Sequence, residues 1–241
     1  MKKLTKLLIL ILLIYSNFLN AKEGSIICLH GFFRSYRCMI PIGNTFKSEG
    51  LEAYLWDYRS RKETIESHAQ KLVEVLNMIA KQKPGEPIHF ATHSFGGIIV
   101  RAAVNHPACP QEAKIGKAVL LAPPNKGSSL AHRVNKCPAV RWFFGKHAGR
   151  QLLEYDEQAM NSIGNFPDKM EVMVIAGNKK SGLLRFWVDG PNDGKVSIEE
   201  TKLLTPHDHY TLYVSHNWIM TSREAIELTK KFILKEKKLL D

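Results

Sequence analysis

The sequence predicts an α/β fold, with about six mostly parallel strands and helices on both faces of the sheet. Three observations carry that prediction. Short apolar runs without helical period alternate with longer segments whose apolar residues recur at helical spacing. The runs are continuously apolar rather than alternating, as expected of strands buried on both sides. Glycine and proline separate the two kinds of segment, so strand and helix follow one another along the chain. With 241 residues, 44% hydrophobic and 24% charged, the chain is long enough for one domain with a substantial core.

Residues 1–21 read as a secretory signal. Lys2, Lys3 and Lys6 precede the apolar run from Leu7 to Tyr15, and a polar stretch ends at Ala21, the arrangement of a cleavable export sequence. The run is short for a membrane span, although Leu19 is a mediocre residue two places before a cut at Ala21. The expectation is therefore an exported protein, periplasmic or secreted, with an uncleaved N-terminal anchor as the alternative. The domain then occupies residues 22–241.

Its first strand is Ser25 to Leu29, which runs straight into His30-Gly31-Phe32-Phe33-Arg34. Pro41 to Gly50 reads as a helix closing on glycine, and Glu52 to Asp57 as the second strand, marked by Tyr54, Leu55 and Trp56. From Thr64 to Lys81, Ala69, Leu72, Val73, Leu76, Ile79 and Ala80 give a helical period that Pro84-Gly85 breaks. The third strand, Ile88 to Ala91, enters Thr92-His93-Ser94-Phe95-Gly96-Gly97 and a helix reaching Asn105. Ala118 to Leu121 is the fourth.

Residues 128–168 exceed what a crossover needs. They hold the cluster Arg141-Trp142-Phe143-Phe144 and a helix-like run from Gln151 to Ile163, and are expected to form a cap beside the site. Val172 to Ala176 is the fifth strand and Lys195 to Leu204 the expected sixth. Thr221 to Leu240 is a last helix, with Ala225, Leu228, Phe232 and Ile233 on its apolar face.

The formal net charge is +11. Loss of residues 1–21 would remove three lysines and no acid, leaving +8, which favours anionic membranes, acidic substrates or non-specific nucleic-acid contact. The lysines are scattered and no nucleic-acid-binding motif is present, so a nucleic-acid partner is not expected. Four cysteines, Cys28, Cys38, Cys109 and Cys137, allow three complete pairings. Cys28, inside a strand pattern, reads as a buried thiol, and Cys109 with Cys137 as the better candidate pair. No metal-ligand cysteine spacing occurs.

A serine on a tight strand-to-helix turn is pushed out of the sheet beside unpaired backbone N–H groups, and Ser94 has that setting. Its alcohol needs a base, and the base a carboxylate that orients it. All three should lie beyond the carboxyl ends of strands. Asp193, in Asn192-Asp193-Gly194-Lys195-Val196-Ser197, meets this for the acid, with Asp189 as rival. His216, in Val214-Ser215-His216 before the last helix, is favoured as base over His207 and His209. His207, Asp208 and His209 could instead meet a metal, but no further ligand stands at a recognisable spacing. An oxyanion requires two donors; the backbone N–H of Phe95 and, from the loop after the first strand, that of Phe32 are in place. His93, next to the serine, reads as a packed supporting residue.

These residues together resemble the α/β-hydrolase superfamily, and within it the small bacterial lipases and the GPI inositol-deacylase-like esterases. The resemblance runs through His-Gly-Phe after the first strand, His-Ser-Phe-Gly-Gly, Ala-Pro-Pro-Asn-Lys-Gly-Ser after the fourth, Asn-Asp-Gly-Lys-Val-Ser, and Ser-His-Asn-Trp before the final helix, across most of residues 25–235. It implies a minimal α/β-hydrolase fold, Ser94, Asp193 and His216 as a catalytic triad, Phe32 and Phe95 as oxyanion donors, and a reaction needing no cofactor or metal. Two departures stand out. Thr92 replaces the family's usual first elbow glycine, and the opening strands of the complete fold are missing. A carboxylic ester is the expected substrate, preferably a lipid ester because of the Trp142 to Phe144 cluster and the positive charge, with peripheral membrane contact. An acyltransferase or thioesterase would use the same triad, and a catalytically inert binding scaffold is the rival of another class.

Overall fold

The computed structural model describes residues 24–234 and, within them, leaves the side chain of Leu184 undescribed. The signal-like residues 1–21 and the end of the expected last helix lie outside the described residues. Six strands form one sheet: β1 (Ser25–Leu29), β2 (Glu52–Trp56), β3 (Ile88–His93), β4 (Lys117–Leu121), β5 (Glu171–Gly177) and β6 (Asp208–Leu212). Their order is β2-β1-β3-β4-β5-β6, and every neighbouring pair is parallel. The chain leaves β1 in one direction for β2 and returns on its other side for β3. Such a reversal opens a crevice at the carboxyl ends of the two central strands, and here that crevice holds the loops after Leu29 and His93, which the register places side by side through Leu29 and Thr92.

Alternate residues of the strands feed two cores. Ile27, Leu29, Phe90, Leu120 and Val174 face one side, where they meet α2 (Ile65–Gln82) and α3 (Phe95–Val104). Ile26, Cys28, Ala91, Val119, Leu121 and Ile175 face the other, against α1 (Ile40–Ser48) and α9 (Arg223–Leu234). Thr64 caps α2 by accepting from the Ser67 N–H at 3.2 Å, a cap worth about 1 kcal/mol. Leu72 and Leu76 are fully buried, each contributing roughly 1.5–3 kcal/mol. A short helix, α4 (Gln111–Lys114), precedes β4.

Between β4 and β5 run four short helices, α5 (Ser129–Val134), α6 (Pro138–Phe144), α7 (Ala148–Glu154) and α8 (Glu157–Ser162). The single helix expected from Gln151 to Ile163 is thus two. Tyr155 caps the end of the first and Asp156 starts the second, its carboxylate accepting from the Ala159 N–H at 2.8 Å, which is what an N-cap aspartate does.

Two expectations are corrected. Residues 195–204 do not form the sixth strand; they make turns and a 3-10 segment at Glu199–Thr201. Their backbone donors are already taken, because Asp193 Oδ1 accepts from the N–H groups of Lys195 and Val196 and Glu200 accepts from that of Ser197. The strand that pairs with β5 is Asp208–Leu212, where Met173 meets Asp208 and Gly177 meets Leu212. Cys109 and Cys137 are not joined: all four cysteines are free. Cys109 is buried against the core while Cys137 is exposed at the start of α6. Among the described residues no helix is long and apolar enough to cross a membrane.

Candidate active site

Ser94 sits between β3 and α3 with φ +52°, a left-handed conformation uncommon outside glycine and strained for a side chain. A serine in this position usually bonds its own helix's N–H groups. Here the backbone directs the hydroxyl elsewhere, and no side-chain cap forms. Ser94 Oγ instead lies 3.1 Å from His216 Nε2. The turn is held by the Ser94 N–H donating to the Leu121 carbonyl at 2.8 Å. A Cβ on Gly96 would stand 2.9 Å from the carbonyl oxygens of both Leu29 and His30, so only glycine lets the helix approach β1 this closely.

His216 Nδ1 is 2.8 Å from Asp193 Oδ2, and both side chains are buried. Because the carboxylate only accepts, Nδ1 carries the hydrogen and Nε2 is left to accept from the Ser94 hydroxyl. Acid and base are joined again through the main chain, the His216 N–H donating to the Asp193 carbonyl at 3.0 Å. The fully buried Asn192 fixes the turn that presents Asp193: its amide donates to the carbonyls of Val188 and Gly190, and its oxygen accepts from the Gly194 N–H. Gly177, ending β5, leaves room for this turn, since a Cβ there would lie 2.8 Å from the Asp193 Cβ.

The rivals stand elsewhere. Asp189 is exposed and forms a two-pronged ion pair with Arg133. His209 meets Thr201 Oγ1 at 3.0 Å and His207 the Thr205 carbonyl at 2.7 Å. Among the described residues no group of three or more His, Cys, Asp or Glu is arranged to hold a metal ion.

Phe95 is the first residue of α3, so its N–H has no carbonyl one turn earlier to pair with. The loop carrying Phe32 is braced by residues that no local sequence pattern marks. The Phe33 N–H donates to Ser60 Oγ at 3.1 Å, and the Tyr58 hydroxyl donates to the His30 carbonyl at 2.6 Å. The Tyr58 ring also stacks on His30 at 4.2 Å. His30 Nδ1–H donates to the Gly31 carbonyl while Nε2 accepts the Tyr58 N–H. In that arrangement the ring is neutral; burial lowers its pKa, and the Asp57 carboxylate 3.2 Å from Nε2 offsets the lowering only in part.

His93 supports the base, as its position suggested. Its Nε2–H donates to the His216 carbonyl at 3.0 Å. Burial, followed by the neighbouring His216, drives its pKa well below the usual histidine range. Arg101 on α3, buried with a pKa lowered to about 10 by desolvation, bonds the carbonyls of Asn125 and Met160. It thereby ties the serine's helix to the chain entering and leaving the β4–β5 helices.

Ser94, Asp193 and His216 open onto a cavity of about 660 Å³ lined by Phe32, Val140, Phe143, Phe144, Leu152 and others. Most of its wall is apolar, and the β4–β5 helices supply much of it.

A six-stranded parallel sheet with a serine elbow at its switch point defines an α/β hydrolase. Residues 20–171 match the family model described as serine aminopeptidase, S33, and the chain belongs to this family of α/β hydrolases. The match takes in Ser94 and ends before Asp193 and His216. Among solved structures, the mature form of the Bacillus licheniformis lipase BlEst2 aligns with a TM-score of 0.66 at 20% identity, over 88% of this chain and 92% of that one. Phospholipase PlaB from Legionella pneumophila aligns with a TM-score of 0.65 at 18% identity, over 86% and 59%. The lin2722 gene product from Listeria innocua aligns with a TM-score of 0.64 at 15% identity, over 90% and 96%. The chain therefore spans somewhat over half of PlaB, and half of the propeptide form of the Bacillus lipase. At these identities the likeness is one of fold. No curated protein sequence gives a significant match.

Proposed function

We propose that this chain is an exported serine hydrolase that cleaves carboxylic esters, with lipid esters as its substrate class. The observation that carries the reading is the unbroken chain from Ser94 Oγ through His216 to Asp193 at the wall of a large apolar cavity. His216 Nε2 takes the hydroxyl proton as Ser94 Oγ attacks the ester carbonyl carbon, and Asp193 steadies the resulting imidazolium. The N–H groups of Phe32 and Phe95 receive the negative oxygen. Collapse releases the alcohol with the proton from His216, and water repeats the sequence on the acyl-enzyme to free the acid.

Two features favour an ester over the peptide bond named in the family's description. The apolar wall suits an acyl chain. An aminopeptidase must also hold a substrate ammonium, and Asp193 is the one carboxylate among the residues lining the cavity; it is already bonded to His216 and two backbone N–H groups. Residues 128–168 act as a cap in this reading. Export rests on residues 1–21 and is checked by sequencing the N-terminus of the protein recovered from its native host.

A fluorophosphonate probe tests the chemistry. Folded protein is expected to be labelled at Ser94 and Ser94→Ala protein not at all, with turnover across a graded set of short- and long-chain esters. Absence of labelling overturns the hydrolase reading. Labelling without ester turnover points to acyl transfer, which uses the same groups with another acceptor.

A further inference from the structure

The cavity opens beside an apolar surface that the fold leaves uncovered. Phe33, Phe143 and Leu183 line the cavity and are also 42%, 52% and 94% exposed. Next to them in the same segments, Trp142, Phe186 and Trp187 are exposed as well. Burying such side chains is the ordinary outcome, and large ones left exposed on adjoining segments mark a contact surface.

Two stretches of chain build this surface and are clasped together. Arg133 of α5 donates to the Trp187 carbonyl at 2.7 Å and to both oxygens of Asp189. This holds the 3-10 segment Leu183–Trp187 against the β4–β5 helices. The aromatics therefore stand on two braced elements.

The charge of these stretches is one-sided. Residues 128–150 contain Arg133, Lys136, Arg141, Lys146 and Arg150, and residues 179–188 contain Lys179, Lys180 and Arg185; neither stretch holds an aspartate or glutamate. From outside, Asp189 pairs with Arg133, and Glu154 with Arg141 and Arg150. Lys136, Lys146, Lys179 and Lys180 are exposed and have no carboxylate partner among the described residues. A second hollow of about 170 Å³ lies between Trp142 and the cations Arg141, Lys146 and Arg150, a setting suited to a lipid phosphate. Indole rings beside cations are the side chains that settle at a membrane's headgroup level.

We propose that this face docks on a bilayer containing anionic phospholipid, with Trp142, Leu183, Phe186 and Trp187 entering the headgroup boundary and the surrounding lysines and arginines meeting phosphates. Docking so placed sets the cavity mouth against the lipid, and it rests on the ester-hydrolase reading for what the cavity then admits.

The test uses the full chain carrying Ser94→Ala, so that no lipid is consumed, and phosphatidylcholine vesicles with brominated acyl chains, with or without phosphatidylglycerol. Tryptophan quenching is expected with phosphatidylglycerol present and to be largely lost in the Trp142→Phe, Trp187→Phe double variant. Residues 1–21 contain no tryptophan, and Trp56 and Trp218 remain in the double variant, so the quenching lost on replacement reports on the face itself. Lys146→Gln with Lys180→Gln should weaken binding by roughly tenfold or more. Quenching that survives the tryptophan replacements, or affinity indifferent to phosphatidylglycerol, overturns the proposal. With Ser94 restored, the same variants are expected to hydrolyse a soluble short-chain ester at the wild-type rate. Protein that hydrolyses that ester without docking refutes the docking alone; protein that docks without hydrolysing refutes the ester reading alone.

Discussion

Asp193→Asn is expected to lower kcat on a soluble ester by about 10⁴-fold, as are Ser94→Ala and His216→Ala, while Asp189→Asn and His209→Ala are expected to stay close to wild type. The asymmetry between the two aspartates follows from geometry. Asp193 is buried and accepts from His216 Nδ1, so the amide would present a donor where the imidazole needs an acceptor and would favour the wrong tautomer. Asp189 holds only the Arg133 clasp at the surface. In the proposed mechanism Ser94, His216 and Asp193 act as one unit, so double replacements should cost little more than single ones. Steady-state rates for the five variants, with circular dichroism to show that each is folded, check this. An active Asp193→Asn would remove the acid assignment.

Stability is expected to fall between pH 6.5 and pH 4, before most carboxylates are protonated. His30, His68, His89 and His93 are buried, and burial lowers the pKa of each, that of His89 to about 4. A group whose pKa is lower folded than unfolded contributes stability above its unfolded value, here near 6.5. That contribution is lost as pH falls toward the folded value, because the unfolded chain takes up protons that the folded one refuses. For His89 the gap corresponds to about 3 kcal/mol. The hydrogen bonds give the same sign. His89 Nδ1 accepts the Lys117 N–H, and His93 Nδ1 is buried with no hydrogen-bond partner among the described residues, so neither nitrogen has an acceptor for an added proton. Denaturant midpoints measured from pH 7.5 to pH 4.5 should show the decline, and His89→Gln should flatten it by about one proton. An unchanged slope in that variant would assign the acid sensitivity to other groups.

Much of this was legible in the sequence because the central strands are apolar on both faces. β1, β3, β4 and β5 need no partner to be recognised, since Ile26-Ile27-Cys28-Leu29 or Val172-Met173-Val174-Ile175 can be accommodated only where both sides are covered. β6 is an edge strand of largely exposed polar residues, and its pairing with β5, rather than its composition, makes it a strand. Lys195 to Leu204 has the composition of a strand but spends its donors on Asp193 and Glu200. The structure brings Ser94, Asp193 and His216 together, as order along the chain anticipated. Their supports were hidden. Tyr58, Ser60 and Arg101 act through bonds to backbone atoms far away in sequence, which no local pattern encodes. His93 left a trace by standing next to the serine, and Asn192 did so in an Asn-Asp-Gly turn of the kind that side-chain oxygens stabilise.

Much of the cavity wall comes from a different part of the chain than the reactive groups. Leu130, Val134, Val140, Phe143, Phe144 and Leu152 all come from the helices between β4 and β5, whereas Ser94, Asp193 and His216 come from loops before and after that stretch. The pocket is in this sense a module inserted into a reaction centre that does not depend on it for its internal bonds. Its length, bulk and polarity can drift, residue by residue or by exchange of the whole stretch, without disturbing a single hydrogen bond among serine, histidine and aspartate. What the protein accepts and what it does to it are therefore open to change at separate rates.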